Sequence, residues 1–112
     1  MYIKKIYLEI INSQNIMIEL KKIESILREQ KDYLKNQFYV EKIGVFGSYS
    51  RGEETPESDI DIYVKFNGPI GWKYFTLKEF LEKILSKKVD LATKNALRPQ
   101  MKDDILHEVI YV

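Results

Sequence analysis

The sequence predicts an α/β domain, a small mixed β-sheet with helices packed against it. Two observations carry this expectation. Apolar residues recur at helical spacing in some stretches and alternate in others, giving the order helix, strand, short connection, strand, helix, strand, helix. The 112 residues can bury one hydrophobic core and are too few for two, so the chain reads as one unit.

From Ser13 to Lys35 the apolar residues Ile16, Leu20, Ile23, Ile26, Leu27, Tyr33 and Leu34 keep helical spacing, while Lys21, Lys22, Glu24, Arg28, Glu29 and Lys31 fill the other side. Ser13 or Asn15 is the expected N-cap. The preceding stretch, Tyr2 to Ile11, also suits a helix, one that docks on a partner or extends the first helix. Val40 to Phe46 is short, apolar and β-branched before Gly47, which predicts a buried strand. Ser58 to Phe66 alternates: Ile60, Ile62, Val64 and Phe66 face one way, and Asp59, Asp61, Tyr63 and Lys65 the other.

Asn67-Gly68-Pro69 ends that strand, and helical spacing resumes from Trp72 to Ser86 through Phe75, Leu77, Phe80, Leu81, Ile84 and Leu85. Lys88 to Ala92 alternates as a third strand, with Val89 and Leu91 inward and Asp90 opposite. Pro99 suits the first turn of a last helix striped by Met101, Ile105, Leu106 and Val109. The connection from Gly47 to Ser58 is about as short as a parallel crossover allows, which is why the sheet is expected to be mixed.

The bulk properties exclude several classes. With 45% hydrophobic and 31% charged residues the chain is ordinarily globular rather than disordered. A net charge of +1 gives no bulk reason for binding nucleic acid or membrane, so neither is expected. No apolar run approaches the roughly 18 residues of a membrane span, and the N-terminus lacks the pattern of a secretory signal. Without cysteine there is no disulfide framework, and a cytoplasmic location is the default.

Chemistry concentrates between Gly47 and Asp61. Gly47 follows a buried strand, where a residue without Cβ lets backbone approach a ligand closely. Ser48 adds a hydroxyl and a backbone N–H where a short helix would begin, a natural place for phosphate oxygens. Asp59 and Asp61, at i and i+2 of a strand, lie on one face with Cα atoms roughly 6.5 Å apart. Such carboxylates repel unless they stay solvated, share a proton or gain a cation. Oxygen ligands of this kind suit Mg²⁺ or Mn²⁺, which bind through one or two carboxylates plus substrate phosphates. If the second and third strands are neighbours, Asp90 joins the same face.

Gly-Ser followed after ten residues by Asp-x-Asp resembles the signature of the minimal nucleotidyltransferases, or MNT domains, of the DNA polymerase beta-like nucleotidyltransferase superfamily. Val45 to Glu53 and Ser58 to Ile62 are similar to the family text, and Lys88-Val89-Asp90-Leu91 resembles its third-carboxylate strand. The likeness covers residues 16–112 and leaves 1–15 as an N-terminal extension. It implies the polymerase beta-like fold, with Asp59, Asp61 and Asp90 as catalytic metal ligands and Gly47 and Ser48 on the β- and γ-phosphates of ATP. Asp90 would bind a second ion and activate the acceptor hydroxyl, which attacks the α-phosphate as pyrophosphate leaves. Arg51 either steadies phosphate or pairs with the nearby glutamates. Tyr49 is expected near the nucleotide, and Glu53, Glu54 and Glu57 in a solvated loop; His107 reads as structural.

Two functions fit. The resemblance implies an antitoxin that silences a HEPN-domain ribonuclease toxin by transferring AMP from ATP to one of its tyrosines. The alternative is a binding module that neutralises its partner by contact, against which the intact Gly-Ser and three aspartates argue. A small-molecule acceptor is disfavoured because little chain remains to wall off a pocket. Extension of a nucleic-acid strand is disfavoured because no basic stripe is evident.

Overall fold

The computed structural model describes residues 19–112. The expected cap at Ser13 or Asn15, the helix over Tyr2 to Ile11 and the boundary at residue 15 lie outside these residues. The remainder is a four-stranded mixed sheet with helices on both faces, in agreement with the expected class.

Helix α1 occupies residues 19–29 and passes through a turn at Gln30 into α2, Lys31–Phe38. The expected single helix is thus divided at Gln30 and runs three residues further. Tyr39 ends it in the left-handed region at φ 54°, its N–H returning to the carbonyls of Leu34 and Lys35. Strand β1 is Val40–Phe46 and β2 is Ile60–Phe66, with a short helix α3, Ser48–Arg51, between them. Helix α4, Lys73–Leu85, leads to β3, Val89–Ala92. A single 3-10 turn, Lys94–Ala96, precedes α5, Pro99–Glu108, which begins with its proline in the first turn as expected. A two-residue strand β4, Ile110–Tyr111, ends the sheet.

The strand order is β3-β2-β1-β4. β1 pairs antiparallel with both β2 and β4, while β2 and β3 are parallel, joined across one face by α4. That parallel pair aligns Ile60 with Val89 and Asp61 with Asp90. A bond from Ile60 N to the Lys88 carbonyl at 2.9 Å fastens the strand starts together.

The main core lies between α1, α2 and α4 and one sheet face. Leu27, Leu34, Leu77 and Leu81 are fully buried against Val45, Ile60, Ile62 and Val64. Each such side chain contributes about 1.5–3 kcal/mol of hydrophobic stabilisation. A smaller cluster fills the opposite face, where Phe46, Tyr63 and Val109 are buried against Ile105 and Leu106. Tyr63, on the face of β2 that also carries Asp61 and Lys65, is covered there. Tyr33, Phe75 and Met101, expected inward, are exposed, and Trp72 is 85% exposed.

β4 has no expected counterpart, because two residues are too few to show a period. Its approach depends on Gly44: a Cβ there would lie 2.5 Å from Val109 Cγ1 and 2.7 Å from the Ile110 carbonyl oxygen. Among the described residues no helix is long and apolar enough to cross a membrane.

Candidate active site

The strand register gathers the aspartates. Asp61 and Asp90 sit side by side on neighbouring strands, and Asp61 also lies opposite Phe46, the last residue of β1 before the Gly47 turn. Asp59 precedes β2 rather than belonging to it, and is exposed, as is Asp90. The expected strand therefore begins two residues late. Freed from the ladder, Asp59 is not bound to the strict i, i+2 geometry inferred for it.

Gly47 is where the turn and the carboxylates meet. Its backbone has φ 72° and ψ −147°, a conformation side chains strongly disfavour, and a Cβ there would fall onto the Asp61 carboxylate. Glycine is required twice over, by the turn and by the close approach of Asp61. The loop that follows is tied to itself: Ser50 Oγ donates to the Gly47 carbonyl at 2.9 Å, and Glu53 N donates to the Ser48 carbonyl at 2.8 Å. Ser48 is half-buried at the start of α3. Thr55 N donates to Ser58 Oγ at 2.9 Å, turning the chain back toward Asp59.

Electrostatics single out Asp61. Its carboxyl is pushed up from 3.8 to about 6, first by burial, then by the charges of Asp90 and Asp59; Arg51 partly offsets this and Glu108 adds to it. Burial and its like-charged neighbours thus outweigh the Arg51 cation at this carboxylate.

Arg51 pairs with Glu53 at 3.2 Å through Nε and with Glu108 at 3.1 Å through Nη1. The expected ion pair with a nearby glutamate is formed, to Glu53. Glu108 was not among the candidate residues. It stands 57 residues from Arg51 in sequence, and only docking of α5 and β4 beside β1 brings it to the loop, so no local signal marked it.

Two other expectations are corrected. Tyr49 is 1% exposed and packs in the main core, with its hydroxyl accepting a bond from Lys87 Nζ at 2.6 Å. Helix α3 turns the aromatic ring inward, into the main core. Glu54 is not solvated like its neighbours, since both carboxylate oxygens are buried without a hydrogen-bond partner. His107 is exposed on α5.

Among the described residues, no three His, Cys, Asp or Glu side chains are gathered tightly enough to cage a metal ion. The donor set nonetheless fits Mg²⁺ or Mn²⁺. These ions take one or two carboxylates and complete their shell with water and substrate phosphate, so a closed protein cage is not required. The Asp61 carboxylate, destabilised by burial and by like charges, is the group a cation would relieve.

A nucleotidyltransferase domain model matches residues 27–112. The chain is 49% identical over 100 residues to a candidate protein adenylyltransferase of Methanocaldococcus jannaschii, covering 86% of this chain and 100% of that one. It is 45% identical over 97 residues to the protein adenylyltransferase MntA of Thermococcus cleftensis, covering 86% of this chain and 98% of the other. Among solved structures it is similar to a toxin–antitoxin complex with AMP-PNP. That likeness has a TM-score of 0.59 and 26% identity, and covers 82% of this chain and 70% of the other. With a glycine turn against paired aspartates on a mixed sheet and a family match over most of its length, the chain belongs to the nucleotidyltransferase domain family, among its minimal, MntA-type members.

Proposed function

We propose that the protein is the antitoxin of a toxin–antitoxin pair and transfers AMP from ATP to a tyrosine hydroxyl of a HEPN-domain ribonuclease toxin. The observation that supports the reading is the junction of Gly47 with Asp61, beside Asp90: a glycine turn directly against a half-buried carboxylate with a second one next to it. The relatives named as protein adenylyltransferases support a protein acceptor, and the toxin–antitoxin neighbour with AMP-PNP supports an adenine nucleotide and a toxin partner.

In this reading Gly47 and Ser48 hold the β- and γ-phosphates, the glycine by letting backbone come close and the serine through its hydroxyl. Asp59 and Asp61 would hold Mg²⁺, with Asp90 completing the set. When bound, the ion neutralises triphosphate charge and makes pyrophosphate a better leaving group. Asp90, exposed at the edge of the cluster, orients the incoming tyrosine hydroxyl and takes its proton. The phenolic oxygen then bonds to the α-phosphorus as the bond to the β-phosphate oxygen breaks. The partner protein supplies the acceptor and the missing wall of the site.

The test is transfer of label from α-labelled ATP to a co-expressed HEPN partner in the presence of Mg²⁺. Transfer is expected with the wild type and lost with Asp59→Asn or Asp61→Asn. An unlabelled partner that is still neutralised by both variants would overturn the reading in favour of neutralisation by contact.

A further inference from the structure

The Gly47 amide and the Arg51 guanidinium are the donors at the loop that a polyphosphate would meet, and one carboxylate already occupies both. Glu108 Oε1 accepts from Gly47 N at 3.0 Å and from Arg51 Nη1 at 3.1 Å, and Oε2 accepts from the same Nη1 at 3.2 Å. A main-chain N–H and a guanidinium converging on two oxygens of one anion is how phosphate groups are commonly bound.

Helix chemistry does not explain the placement of this glutamate. Glu108 is the last residue of α5, the end where the helix dipole disfavours negative charge. Its charge also adds to the repulsion on Asp61. Both costs are offset by its bonds to Gly47 and Arg51. The side chain is 25% exposed, so it has a path into solvent. Arg51 meanwhile keeps its separate bond to Glu53 through Nε at 3.2 Å, which holds the guanidinium at the loop when Glu108 leaves.

We infer that Glu108 is a built-in stand-in for phosphate, which fills the donors of Gly47 and Arg51 in the nucleotide-free protein and swings out when a triphosphate enters. It thereby sets the affinity of the site for ATP. The inference rests on the nucleotidyl-transfer reading above and goes beyond it in assigning a competitor to the phosphate position. A rival role for the same contacts is to brace the loop, and the two differ in sign. Removing a competitor tightens binding, whereas removing a brace weakens it.

The experiment is calorimetric titration of Mg-ATP and of AMP into the full chain as wild type, Glu108→Gln and Glu108→Ala, with thermal melting to identify folded variants. The Gln variant keeps an acceptor for the Gly47 amide while losing the charge, and the Ala variant loses both. Tightening of ATP binding by about five- to tenfold is expected in both, the scale of one charge-assisted bond. Binding of AMP, which lacks the β- and γ-phosphates, is expected to stay within about twofold. Adding Arg51→Gln to Glu108→Gln should cancel the gain. ATP binding that is unchanged or weaker in both folded variants would overturn the inference and leave nucleotidyl transfer standing. Absence of ATP binding in wild type and variants alike would overturn both, and binding only in the variants would support both.

Discussion

At neutral pH the Asp61 carboxylate is ionised against its surroundings. Because burial, Asp90 and Asp59 raise it to about 6, the folded state binds this proton more tightly than the unfolded state, whose value is near 3.8. The resulting penalty is absent below the unfolded value, grows as pH rises and is complete above about 6. Asp61→Asn is therefore expected to stabilise the protein by about 1–2 kcal/mol near pH 8, with the difference disappearing toward about pH 4, in denaturant titrations across that range. Transfer follows the opposite direction, since it needs the ionised group, and should fall toward acid pH. Gly47→Ala, which forces a side chain into both a left-handed turn and Asp61, should cost on the order of 2 kcal/mol. It should also lower transfer about a hundredfold, measured as initial rate. Tyr49→Phe separates the expected and observed positions of that ring. Loss of the Lys87 bond should cost about 1 kcal/mol of stability while ATP affinity stays within about twofold.

Among elements, those with enough residues to show a period were legible. The β-branched run of β1, the alternation of β2 and the proline at the start of α5 each carry a local physical cause, and all three are present. β4 was not legible, since its pairing is decided by space at Gly44 rather than by its own two residues. Alternation also separates the two faces of β2 without saying what lies over each, so the cover that α5 gives Tyr63 was not legible. The site divides in the same way. That Gly47, Asp61 and Asp90 come together at one end of the sheet was legible, because the glycine after β1 and the parity of the strands fix it locally. Glu108 was not, because it reaches the loop only through tertiary docking. Gly44→Ala tests that docking: crowding Val109 and Ile110 should cost about 1–3 kcal/mol, read from the melting temperature.

For the molecule as a whole, the carboxylates lie at the rim of a four-stranded sheet, with Asp59 and Asp90 exposed. An open rim accepts a hydroxyl presented on the surface of another protein more readily than a small free acceptor, which needs a pocket to bury it. Aminoglycosides offered with Mg-ATP are accordingly expected to remain unmodified by mass spectrometry.

The bond between the Gly47 amide and Glu108 spans 61 residues of chain, and this has a consequence for the order of assembly. During synthesis the loop is emitted early, but the partner of its amide follows only after β2, α4, β3 and α5 have been made. The Gly47 amide thus lacks its carboxylate partner until α5 has been made and docked. Amide exchange should show it, with Gly47 protected only to the extent that the β1 and β4 ladder is.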